Sequence, residues 1–80
     1  MKTVWQARAL FPICGKGDSV TYQFGPVNHL LYTKISTALK NAMIGAQRVF
    51  PRDPLIFVGN EIHSNDKLVA YIHPLDIVEE

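Results

Sequence analysis

The chain has one cysteine, Cys14, among 80 residues. That excludes an intramolecular disulfide and any metal knuckle built from several cysteines. Charge is also scarce, at 19% against 48% hydrophobic residues, which is too apolar for intrinsic disorder and enough for one core. No apolar run approaches the ~18 residues needed to span a bilayer. Lys2 and Arg8 break up the opening segment, which argues against a signal peptide. A typical domain runs roughly 100–200 residues, so residues 1–80 are expected to form a single α+β domain, cytoplasmic and without membrane association. Folding near this size buries only about 60–65% of the unfolded surface, so stability should be modest or helped by self-association.

A more local absence is informative. Residues 19–52 contain no acid, only Lys34, Lys40, Arg48 and Arg52, for a charge of +4. Residues 1–18 carry +2, and residues 53–80 carry −5 through Asp53, Glu61, Asp66, Asp76, Glu79 and Glu80 against Lys67. The net charge of +1 therefore hides a basic middle and an acidic end. Such segregation either cancels across the folded surface or presents a potential to a partner.

The hydrophobic periods predict the elements. From Thr3 to Phe11 the odd positions Trp5, Ala7, Ala9 and Phe11 alternate with polar neighbours, as in a half-buried strand. Cys14-Gly15-Lys16-Gly17-Asp18 reads as a turn, and Ser19–Phe24 as a second strand with Val20, Tyr22 and Phe24 inward. Asn28 is a plausible helix N-cap. Leu31, Ile35, Ala38, Ala42, Ala46 and Val49 then recur at spacings of three and four, in a helix that should stop before Pro51. Arg48 suits its C-terminal end, and Gly45 suits a close approach to the sheet. Leu55-Ile56-Phe57-Val58 reads as an inner strand, Ser64-Asn65-Asp66 as a turn, and Lys67–His73 as the last strand. Leu75 and Ile77 or Val78 should pack at the core edge before an acidic tip. The order is ββαββ, with one helix on one face of a four-stranded antiparallel sheet.

No motif for catalysis survives inspection. Gly15-Lys16-Gly17-Asp18 lacks the glycine spacing, the Lys-Ser or Lys-Thr step and the following helix of a phosphate loop. If Asn65-Asp66 is a two-residue turn, His63 pairs with Leu68 and His73 with Val58. The two imidazoles then stand roughly 17 Å apart along the sheet, too far to share a metal. Cys14 sits in a glycine turn without the cationic or helix-terminal setting that activates a thiol. No catalytic residue, metal site or cofactor is therefore expected. The outer helix face is more promising, with Lys34, Thr37, Lys40, Asn41, Ile44, Gln47 and Arg48 opposite the apolar stripe and no acid to pair with them. Three cations on such a strip give weak, salt-sensitive phosphate binding at most.

The segments Ala38-Leu39-Lys40-Asn41-Ala42-Met43, Leu55-Ile56-Phe57-Val58-Gly59 and Asp66-Lys67-Leu68-Val69-Ala70-Tyr71-Ile72-His73-Pro74 resemble the second half of some small phage-encoded anti-CRISPR proteins. There, an alanine- and methionine-rich helix precedes a hairpin whose last strand exits through a proline. The resemblance implies a non-enzymatic inhibitor that docks on a host CRISPR effector complex, a protein or ribonucleoprotein, and blocks target binding. The residues expected to touch the partner are Lys34, Lys40, Asn41, Arg48 and Arg52. The alternative is a small nucleic-acid-binding or regulatory domain, monomeric or a homodimer joined through an exposed strand edge.

Overall fold

The computed structural model describes residues 2–13 and 20–78. Its elements run β1 (Lys2–Ile13), β2 (Thr21–Pro26), α1 (Ile35–Val49), β3 (Ile56–Val58), β4 (Glu61–Ser64) and β5 (Lys67–Ile77). The α+β class is as expected, but the antiparallel sheet has five strands rather than four, in the order β2-β1-β5-β4-β3. The glycine turn at Cys14–Asp18 and the acidic tip Glu79-Glu80 lie outside the described residues.

The extra strand comes from a second tight turn. Asn65 and Asp66 hold φ of 52° and 65°, the left-handed pair of a two-residue hairpin turn, and set His63 opposite Leu68 as expected. Gly59, with φ of 61°, and Asn60 reverse the chain once more and set Val58 opposite Glu61. Leu55 to His63 is therefore not one strand. His73 pairs with Gln6 on β1, not with Val58. Nor is Leu55–Val58 an inner strand, because β3 is the sheet edge and Ile56, Phe57 and Val58 are 57%, 55% and 45% exposed.

β1 and β5 form the spine, paired from Lys2↔Ile77 to Ala9↔Ala70. β5 continues through Pro74, which faces Trp5, instead of ending at His73. Beyond Tyr71 only β1 pairs with β5, so one side of the strand is open there and tolerates a residue without an N–H. Ile77 and Val78 are exposed at its end and only Leu75 is half-buried. On the opposite edge, Val20 and Tyr22 are also exposed, while Phe24 packs edge-on against Tyr71 with ring centroids 5.2 Å apart.

Alanine dominates the helix–sheet layer. Ala38, Ala42 and Ala46 of α1 meet Ala7, Ala9 and Ala70 of the sheet, with Ile62, Val69 and Ile72 filling the remainder. Small side chains let the helix lie close to the sheet, most tightly at Gly45. A Cβ there would stand 2.7 Å from Val27 Cγ2 and 3.4 Å from the Ala9 Cβ. The helix ends at Val49 with Arg48 in its last turn, as expected. Its start differs. Lys34 occupies the N-cap position and makes no side-chain cap bond, and Leu31 is exposed outside the helix. Asn28 instead accepts from the Leu30 N–H at 3.0 Å and donates to the Tyr32 hydroxyl at 2.9 Å. Tyr32 exchanges backbone bonds with Trp5 at 2.7 and 2.9 Å, which keeps residues 28–32 beside β1.

Candidate docking surface

The three-to-four spacing of α1 puts its alanines on the sheet and Lys40, Ile44 and Gln47 on the far side. Arg48 complements the C-terminal end of the helix dipole, and the N-terminal end has no such partner on the helix. Its first turn has no acidic residue, so the positive end of the helix dipole adds to Lys34. Lys34, Lys40, Arg48 and Arg52 are exposed, and among the described residues no carboxylate lies within 4 Å of any of them. The ion pair found there is elsewhere, between His63 Nε2 and Glu61 Oε1 at 3.0 Å on β4.

The expected contact residues do not converge on one point. At 1.5 Å per residue, Lys34 and Arg48 are about 21 Å apart along the helix, with Lys40 between them. Arg52 lies in the turn beyond Val49. Asn41 is half-buried, and its side-chain amide donates to the Thr37 carbonyl at 2.9 Å, which commits one of its donors. The structure provides a basic strip, not a basic pocket.

What does converge is apolar. Because β3 is the edge strand and Phe57 pairs with the buried Ile62, Phe57 lies on the helix side of the sheet without being covered. Between it and α1 runs a groove of about 470 Å³ lined by Leu39, Met43, Ile44 and Phe57, with Lys40 and Gln47 at its rim. A second hollow of about 360 Å³ continues it past Met43 and Gln47 to Phe50 and Leu55. Of the five expected contact residues only Lys40 borders this groove. Leu39, Met43 and Phe57 were hidden from sequence reasoning because all three fit core positions equally well. The signal that could have exposed them is the Gly59-Asn60 pair, which turns the Leu55–Val58 run into an outer hairpin arm.

Such a surface can hold an apolar side chain or strand while attracting a partner of negative potential. Among the described residues no three His, Cys, Asp or Glu side chains are grouped to hold an ion. None of the described helices is long and apolar enough to cross a membrane. No protein-family model, curated protein or solved structure matches the chain.

Proposed function

We propose that this chain is a non-enzymatic binding protein whose α1–β3 groove and basic helix strip dock on a host macromolecular complex. The specific reading is inhibition of a CRISPR effector complex by occlusion of its nucleic-acid target site. The observation that carries the binding reading is the uncovered edge formed by Ile56, Phe57 and Val58 beside the Leu39–Met43–Ile44 side of the helix. An exposed apolar patch rimmed by polar groups marks an interaction surface. The cations supply steering, since among the described residues no carboxylate lies within 4 Å of them. The choice of a CRISPR effector rests on the resemblance of the C-terminal half. A second reading, a nucleic-acid-binding or regulatory homodimer, is favoured by the same free β3 edge, which can pair with another copy.

The test is capture of the effector complex from a bacterial lysate by the wild-type chain and by the Lys34→Glu, Lys40→Glu, Arg48→Glu triple variant. Binding is expected to fall at least about tenfold while the circular dichroism spectrum stays unchanged, because rim charges act on association more than on fold. Undiminished capture would reject this surface. Salt-sensitive binding of a labelled oligonucleotide without capture of any complex would favour the second reading.

A further inference from the structure

α1 covers one face of the sheet, and the strand register places a polar and aromatic row on the other. Ala7, Ala9, Ile62, Ala70 and Ile72 form the core with the helix alanines. Alternation therefore turns Arg8 of β1, Tyr71 of β5 and Glu61 of β4 to the far side. There Arg8 pairs with Tyr71, Tyr71 pairs with Glu61, and Gln6 pairs with His73 alongside. Phe24 of β2 joins them through its edge-on contact with Tyr71. His73 is exposed and Gln6, Arg8, Phe24 and Tyr71 are half-buried, so each keeps some accessible surface.

Two further observations say what fits this face. The first is charge. The described strands contain two carboxylates, Glu61 and Asp76. Asp76 accepts from the Thr3 hydroxyl at 3.0 Å, and its partner Thr3 is in phase with Ala7, on the helix side. Glu61 is held by His63 at 3.0 Å. Lys2 and Arg8 share the open face by the same alternation, and among the described residues no carboxylate lies within 4 Å of either. The face is thus complementary to an anion. The second observation is an orphan donor. Arg8 Nη1 donates to Gln6 Oε1 at 2.9 Å, but the buried Nε has no acceptor among the described residues. A guanidinium left in that state gains from a ligand rich in acceptor oxygens.

We propose that this open sheet face binds single-stranded nucleic acid. Aromatic side chains on a sheet stack unpaired bases, and a neighbouring cation takes the phosphates. Here Tyr71, braced by Phe24, is the stacking platform, Arg8 meets the backbone, and Gln6 and His73 meet base edges. A duplex offers no free base faces to such a platform. The surface lies on the opposite side of the sheet from the α1–β3 groove and does not depend on that groove being occupied.

Fluorescence anisotropy with labelled oligo(dT) and oligo(rU) strands of about eight nucleotides tests the proposal, with a duplex of equal length as control. The expected result is saturable, salt-sensitive binding of the single strands, at least about tenfold tighter than the duplex. A preference between the two strands tells RNA from DNA as the ligand. Tyr71→Leu keeps the apolar bulk without the ring and should weaken binding at least about fivefold, whereas Tyr71→Phe should retain it. Arg8→Gln should lower the slope of log affinity against log salt by about 0.7. Circular dichroism checks that each variant keeps the fold. Amide chemical shifts should move at Arg8, Tyr71 and His73. Equal binding of the duplex, equal affinity of the leucine and phenylalanine variants, shifts confined to α1, or no binding would overturn the proposal.

Discussion

Replacing Ile62 with alanine is expected to lower the free energy of unfolding by about 2–4 kcal/mol, because truncation of a buried isoleucine loses both transfer energy and cavity contacts. Ile62 is the largest fully buried side chain described, at 0% exposure. Around it the helix–sheet layer is built largely from alanine, so removing Ile62 takes away a large share of the apolar volume that holds α1 to β4 and β5. Alanine side chains have no length with which to refill the space. A domain of this size starts near the low end of the usual 5–15 kcal/mol, so the variant should be partly unfolded at moderate temperature. Urea denaturation followed by circular dichroism measures it directly. At a slope near 1 kcal/mol/M, the midpoint should fall by about 2–4 M. A midpoint shift below about 0.5 M would show that the core is centred elsewhere.

The second large effect concerns a residue with no side chain. Gly45→Val should destabilise the fold by about 2–3 kcal/mol, although glycine is a poor residue for a helix interior. The new Cβ would lie 2.7 Å from Val27 Cγ2 and 3.1 Å from Cγ1, and the valine methyls would extend further into occupied space. Val27 cannot swing aside easily. Its χ1 is restricted by branching, and its backbone N–H is held by the Ala7 carbonyl at 2.8 Å. Combining Gly45→Val with Val27→Ala should recover more than half of the loss, because the clash rather than the helix propensity sets the cost. Additive losses in a double-mutant cycle would contradict that explanation.

These two residues illustrate how much could be read in advance. The stripe Ala38, Ala42, Ala46 and the tolerance for Gly45 followed from period and size alone, since both are local properties of a helix against a flat surface. The Asn65-Asp66 turn was legible for the same reason, because few residue pairs adopt left-handed backbone twice in succession. Asn28 misled because an amide side chain that caps a helix also closes a local turn, and here it serves Leu30 and Tyr32. The edge position of β3 was not legible. It depends on β5 choosing β1, nearly the whole chain away, as the partner for its other side. Once that pairing is made, Leu55–Val58 can reach only β4, and an apolar run that suits a strand interior is left at the rim. The candidate surface was half visible on the same grounds. Lys34, Lys40, Arg48 and Arg52 stand out by their charge, whereas Phe57 and Met43 become notable only when nothing covers them.

Amide hydrogen exchange on the chain bound to its captured partner tests most directly whether the uncovered edge is the working surface. The expected result is slowed exchange at Ile56–Val58 and in the turn after α1, with the β1–β2 hairpin unchanged. Protection confined to that hairpin, or to Gln6, Arg8 and Tyr71 on the strands away from the groove, would place the partner elsewhere and contradict the assignment.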